Sequence, residues 1–232
     1  MTISPGSLDR RDDPGRTTIA RRIAEQLRDA IVTMRLKPGD TISESEIASR
    51  FGVSRQPVRE AFIQLAEQEL LRIRPQRPTE VVRISIRGVL NARFVREALE
   101  VATVRLAAIN AAGASADMFD EVYRLQTAAS DANDYRAFHL HDDAFHRMIA
   151  QLSGNAFVWK LIDQQKVQMD RVRYLSLALG MPVTIEEHRQ IGRAVLAGKP
   201  DEAEALMREH LRKIDTTIYT IRDLNRDYFA EE

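Results

Sequence analysis

The sequence contains no cysteine. Disulfides and thiolate metal ligands are excluded together, so any metal site must be built from His, Asp, Glu or backbone oxygen. Glycine and proline are sparse, at 10 and 8 of 232 residues, and aromatics make up only 6%. That rules out fibrous and low-complexity classes and leaves few natural helix breakers. No apolar run approaches the ~20 residues that a membrane-spanning helix needs. The opening MTISPGSLDRRDDPGR also lacks the apolar centre of a signal peptide. The expectation is a soluble, cytoplasmic protein with no membrane partner.

Net charge is absent too, with 34 basic residues against 34 acidic ones, but the charges are unevenly spread. Residues 16–87 hold 14 Lys and Arg against 9 Asp and Glu, whereas residues 88–232 hold 18 against 22. A basic first third joined to a mildly acidic remainder suggests a polyanion-binding module attached to a second domain.

Residues 1–15 are rich in Pro, Gly, Ser, Asp and Arg and read as a mobile tail; residues 16–85 then form the first domain. Ile19, Ile23, Leu27, Ala30, Ile31 and Met34 recur at helical spacing, and LKPGD ends that helix. SESE, with Ser43 and Glu46, has the spacing of a capping box at the start of a second helix. Ser54 stands where it can cap a third helix, RQPVREAFIQLAEQEL. LRIR and VVRIS, on either side of PQRPTE, predict a β-hairpin. Three helices and a hairpin in a basic stretch of this length describe a winged helix-turn-helix. Within the third helix Val58, Ala61, Phe62 and Leu65 form a stripe for burial. Arg55, Gln56 and Arg59 lie near the N-terminal end on another face, as a helix entering the major groove requires. Arginine can clamp phosphate or bind guanine through two hydrogen bonds, and Ser54 and Gln56 can bond either target.

The stretch PGDTISESEIASRFGVSRQPVREAFIQLAEQELLRIRP, above all GVSRQPVREA, resembles the N-terminal domain of GntR-type bacterial transcription regulators. The resemblance implies that Ser45, Ser54, Arg55, Gln56, Arg59 and Arg77 face double-stranded operator DNA, with Arg77 in the wing. Two residues depart from the family pattern. Glu69 replaces the glycine that usually ends the recognition helix with positive φ, and Pro78 replaces a glycine at the wing tip.

Residues 86–232 show only amphipathic helical periodicity, near 88–112, 115–130, 134–152, 155–179, 183–197 and 201–227, separated by GAS, SDAND, SGN, LGMP and AGKPD. The fold class is therefore mainly α: the winged helix-turn-helix, then an all-α antiparallel bundle of six or seven helices. HLHDDAFH, residues 139–146, concentrates three of the five histidines. At ~100° per residue, Asp142 and His146 lie on one shoulder of the face marked by Phe138, Phe145 and Ile149, with Asp143 turned ~140° away into solvent. His139 and His141 are left outside the donor set. His188 is in phase with Ile185, Ile191 and Val195, and His210 with Ala203, Met207, Ile214 and Ile221. Three inward imidazoles and a carboxylate in one bundle are costly unless they share a partner. A His₃Asp set suits a divalent metal, zinc foremost, with nickel, cobalt or manganese as alternatives.

NARFVREALEVATVRLAAINAA, DDAFHRMIAQLSGN and EEHRQIGRAVLAGKPDEAEALMREHL look like the effector-binding C-terminal (FCD) domain of the FadR subfamily of these regulators. That resemblance implies a divalent metal on Asp142, His146, His188 and His210, and a small carboxylic-acid or sugar-acid effector. It also implies Arg96 as a second anchor for the effector carboxylate. A homodimer is expected, because paired recognition helices meet half-sites related by two-fold symmetry. The function expected is that of an effector-controlled regulator, a repressor, and not an enzyme. The alternatives are a regulator for which the metal itself is the signal, and a metallohydrolase in which His₃Asp activates water.

Overall fold

The computed structural model describes residues 18–111 and 116–231; the expected N-terminal tail and the GAS separator lie outside them. The chain forms two compact units. One holds the residues up to Ser85 together with the segment from Arg226 onward, and the other runs from Ile86 to Asn225.

In the first unit α1 (Ile19–Val32), α2 (Glu44–Phe51) and α3 (Arg55–Glu67) enclose a core that includes Ile23, Leu27, Ile31, Ile47, Phe62 and Leu65. Ser43 accepts from the Glu46 backbone N–H at 3.1 Å, but the Glu46 carboxylate pairs with Arg50 instead of returning to Ser43. The capping box is therefore half formed. Ser54 occupies the cap position of α3 without making a capping hydrogen bond. At the other end of α3, Glu69 takes φ +57°, while Leu70 N–H bonds Leu65 C=O and Glu69 N–H bonds Ala66 C=O. This is the Schellman closure expected of a glycine, made by a residue with a Cβ at a cost of ~1 kcal/mol.

The hairpin strands are β2 (Leu71–Arg72) and β3 (Thr79–Val81). A third strand that the sequence did not suggest, β1 (Thr41–Ile42), pairs antiparallel with β3, and the sheet order is β1-β3-β2. VVRIS does not continue as one strand. Val81 ends β3, and Ile84 instead makes a parallel bridge with Phe229. The segment from Arg226 thus belongs with the first unit and not, as the sequence suggested, with the second domain.

The second unit contains, among the described residues, seven helices. They are α4 (Ile86–Asn110), α5 (Ala116–Asp131), α6 (Tyr135–Leu152), α7 (Phe157–Gln165), α8 (Val167–Leu196), α9 (Pro200–Arg212) and α10 (Ile214–Leu224). Two expected helices are each divided at a single lysine, Lys166 and Lys213, whose backbone stays in the right-handed helical region. The expected break at LGMP is present as a bend between two helical stretches that together are α8. The kink falls at Gly180 (φ −158°, ψ 15°), with Pro182 just beyond it. α4 packs against α6, α8 and α9, and Val104, Ala107, Phe119, Phe145, Ile191, Val195 and Met207 fill the centre. Among the described residues no helix is long and apolar enough to cross a membrane.

Candidate metal centre and DNA-reading surface

Asp142 and His146 lie one turn apart on α6, His188 on the second half of α8, and His210 in the last turn of α9. Helical phase turns all four inward, and the three histidines converge, whereas Asp142 faces His146 and His188 and is paired with Arg173. His146 Nε2 lies 3.9 Å from Asp142 Oδ2, and His188 Nε2 lies 3.7 Å from Asp142 Oδ1. One ligating atom from each of His146, His188 and His210 falls within 4.8 Å of the others. Asp142, His146 and His188 are all at most 2% exposed.

Each ring is aimed by a partner on its far nitrogen. His146 Nδ1 lies 2.5 Å from Glu100 Oε2 on α4, an ion-pair contact that lacks hydrogen-bond geometry. His188 Nδ1 meets the Gln126 side-chain amide on α5, at 2.9 Å from Nε2 and 3.2 Å from Oε1. His210 Nδ1 lies 2.7 Å from Glu187 Oε2 on α8. The Gln126 amide can accept the His188 Nδ1 proton through Oε1, the arrangement that leaves the His188 Nε2 lone pair free. Outer partners of this kind fix the tautomer and leave the Nε2 lone pair for a metal. Nε2 of both His146 and His188 is buried with no hydrogen-bond partner, a cost of ~1–3 kcal/mol each if nothing else binds there. Those two orphaned nitrogens, facing a buried carboxylate, fit a divalent cation.

The electrostatics keep the donors in metal-ready form. Burial pushes the His210 imidazole down to about 4, against the pull of Glu187, and puts His188 well below its ordinary value, with His210 and His146 adding to the effect. Both rings are therefore neutral at pH 7. Burial alone would raise the Glu100 carboxyl, but Arg96 and His146 hold it well below the usual carboxylate range. Behind the centre, Phe145 stacks on the His188 ring at 4.0 Å and 11°. Tyr123 Oη donates to the His188 carbonyl at 2.9 Å. Gly192 makes room for that tyrosine, since a Cβ there would stand 2.0 Å from Tyr123 Oη and 2.8 Å from Phe119 Cδ1.

A cavity of about 390 Å³ opens on the centre, lined by Arg96, Asp142, Arg173, Thr217 and His210 among others. Arg96 is fully buried. Its Nε donates to Glu100 Oε1 at 2.5 Å, whereas its Nη2 has no partner. Arg173, which the sequence did not single out, contacts Asp142 and lies 3.4 Å from Asp170 Oδ1. Burial, reinforced by Arg96, lowers it to about 9, so it is still charged at neutral pH.

Asp143 is not in solvent as its phase suggested. Lys166, 1% exposed, reaches over from the α7–α8 junction and bonds Asp143 at 2.8 Å and Asp170 at 2.6 Å. His139 comes close to the same two carboxylates, but Lys166 and Arg173 together already pair with them. Among the missed residues, Gln126 had a usable signal, being in helical phase with Phe119, and Glu100 sits one turn after Arg96. Glu187 points 100° from its neighbour His188 and reaches the centre only because α9 packs alongside.

In the first unit, Ser45, Ser54, Arg55, Gln56, Arg59 and Arg77 are all exposed. Behind the α3 residues, Val58, Ala61, Phe62 and Leu65 are buried as the pattern required. Arg55 is steadied by Glu44 at 3.2 Å, and Gln56 by Glu60 at 3.0 Å. Arg77 follows a turn in which its N–H bonds Arg74 C=O and Gln76 takes φ +57°.

A winged helix with a polar, arginine-bearing face on its third helix, in a chain that also carries an all-helical domain with a cavity beside buried histidines, defines the class of two-domain DNA-binding regulators. The profile of the bacterial regulatory proteins of the gntR family matches residues 19–81, and that of the FCD domain matches residues 92–213. The HTH-type transcriptional repressor RspR of Escherichia coli (strain K12) is 37% identical over 216 residues, covering 92% of this chain and 95% of that protein. The HTH-type transcriptional repressor NanR of Escherichia coli (strain K12 / DH10B) is 26% identical over 225 residues, covering 87% of this chain and 85% of that one. In fold, E. coli McbR/YncC superposes with a TM-score of 0.75 at 21% identity, covering 88% of this chain and 99% of its own. The chain belongs to the gntR family of bacterial regulatory proteins and carries an FCD domain. It is a regulator rather than a metallohydrolase.

Proposed function

We propose that the protein is a transcriptional repressor of the FadR subfamily whose grip on operator DNA is set by a small carboxylate bound beside a divalent metal. The observation that carries this is the convergence of three imidazoles, each with Glu100, Gln126 or Glu187 behind it, beside a cavity lined by Asp142 and by Arg96, whose Nη2 is buried without a partner. Asp142, His146, His188 and His210 would hold the ion, zinc first among the divalent choices. A bound ion supplies a Lewis-acidic position for one carboxylate oxygen. Arg96 and Arg173 line the same cavity and can donate to an anion there. Ser176, Thr184, Thr216, Thr217 and Thr220 add hydroxyl groups suited to a hydroxylated acid. On the DNA side, Ser45, Ser54, Arg55, Gln56, Arg59 and Arg77 meet the operator, Arg59 and its neighbours in the major groove and Arg77 from the wing.

The protein acts as a homodimer in this scheme. Phe94, Leu106 and Ile109 on α4 are 68%, 40% and 58% exposed, an apolar stretch suited to a second copy. The test is operator affinity of the metal-free and zinc-loaded protein, each measured with and without a panel of hydroxy and sugar acids. Affinity that responds to an acid only when zinc is present supports the proposal. Affinity that follows zinc alone supports a metal-sensing regulator, and indifference to both removes the effector role.

A further inference from the structure

The chain passes from the first unit to the second twice, once after Ser85 and once before Arg226, and these two crossings are bonded to each other. Ile84 N–H donates to Tyr228 C=O at 2.8 Å, Ala230 N–H donates to Ile84 C=O at 2.9 Å, and Arg83 Nε donates to Asp227 C=O at 3.0 Å. Ile84 is fully buried and Phe229 is 5% exposed. The segment from Arg226 is thus tied to the one by which the chain leaves the DNA-reading unit.

Both crossings also lead straight into walls of the cavity. After Ser85 the chain enters α4, which supplies Arg96 to the cavity and Glu100 to His146. Before Arg226 it leaves α10, whose Ile214, Thr216, Thr217 and Thr220 line the same cavity. We infer that the segment Arg226–Ala230 is a built-in strap, which passes a change at α10 to the exit segment of the DNA-binding unit through the Ile84 pairing. A single connection would let one unit swivel without the other sensing it. Two connections clamped side by side make the docking of the strap depend on where α10 ends, because a tethered segment binds at an effective concentration set by its anchor. That the signal reaching α10 is an effector rests on the function proposed above; the strap itself does not.

Amide hydrogen exchange on the full-length, metal-free protein tests the strap, with the Leu65 amide in α3 as an internal control. Phe229→Ala should speed exchange at Ile84 by about tenfold or more and leave Leu65 unchanged. Ile218→Ala loosens α10 from within; Tyr219→Gly, at an exposed position on the same helix, serves if that variant folds poorly. With the native tail, either should speed Ile84 exchange several-fold, and in the Phe229→Ala background neither should add to it. Ile84 exchange that ignores a loosened α10, or that responds equally without Phe229, overturns the inference. Zinc added to the metal-free protein then separates the two claims. Slowed exchange in α10 should reach Ile84 only with the native tail, and reaching it in Phe229→Ala as well counts against the strap. An α10 that ignores zinc counts against the proposed metal site, while the substitutions still decide the strap.

Discussion

The recognition surface and the histidine centre solve opposite problems. Arg55, Gln56 and Arg59 stand in solvent on the first turns of α3, with Arg55 steadied by Glu44 and Gln56 by Glu60, an arrangement that leaves them adaptable. His146, His188 and His210 are instead fixed from behind by three residues on three helices, with almost no exposed surface. The first arrangement suits a long polyanion read from outside, where binding itself orders the side chains. The second suits a small guest, where every donor must already be in place because the pocket cannot adapt without breaking packed neighbours.

The sharpest way to break the comparison is to remove one member of each set. His188→Ala should cut zinc affinity by more than the roughly 10–100-fold typical of losing an outer partner, leaving DNA affinity of the metal-free protein intact. Calorimetric zinc titration alongside a gel-shift assay measures both. Arg59→Ala should do the reverse, weakening operator binding by about 10–100-fold with zinc affinity unchanged. If both variants lost zinc equally, the division of labour between the units would be wrong.

Gly192→Ala probes the buried set without touching a donor. Its Cβ collides with Tyr123, which must give up the His188 carbonyl. Overpacking of this kind costs about 1–3 kcal/mol, readable as a lower denaturation midpoint together with weaker zinc binding. Normal zinc affinity would show that Tyr123 does not help to position His188.

Acid sharpens the same contrast. His188 and His210 sit below their unfolded value near 6.5, His210 at about 4, so between those limits the unfolded chain binds more protons than the folded one. Their contribution to stability is complete above pH 6.5 and is lost as the pH falls toward 4. Glu100 and Glu97 are depressed as well, and titrate in the unfolded chain near 4.5, below most of that window. Calorimetry on chelator-treated protein should show Tm falling from pH 7 to pH 5, with a shallower slope for His210→Asn. An identical slope would remove His210 as the cause. The smallest effect belongs to the first unit: Glu69→Gly relieves a left-handed residue and should stabilise it by about 0.5–1 kcal/mol in denaturant titration.

The two faces of α3 were legible because they depend on local order. The run from Arg55 to Leu65 places stripe and arginines within one helix, so periodicity alone separates the buried face from the exposed one. The inward placement of Asp142, His146, His188 and His210 was legible for the same reason, each being in phase with its own apolar neighbours. What escaped was whatever depends on a second element. Asp143 looked solvated until Lys166 arrived from another helix, and Arg173 gave no periodic signal at all. The strand Thr41–Ile42 is too short to announce itself without its partner β3. The tail beyond Asn225 read as the end of a helix because its partner, Ile84, lies more than 140 residues earlier.

The kink at Gly180 has a consequence for how one helix furnishes a whole site. Arg173 and His188 are fifteen residues apart, a separation of ~22 Å along a straight α-helix. Yet Arg173 touches Asp142, and His188 Nε2 lies 3.7 Å from the same carboxylate. A straight α8 would form one flat wall and leave one of the two out of reach. Bent at Gly180, it forms two walls meeting at a corner, one bearing a guanidinium and the other an imidazole. A Cβ at position 180 would touch nothing within 4 Å, and φ −158° is open to any residue. Glycine at the corner therefore acts through its weak preference for the helix rather than through space, and Pro182 removes one of the hydrogen bonds that would otherwise straighten it. The shape of the pocket is set by the two residues least able to continue a helix, neither of which need touch the ligand.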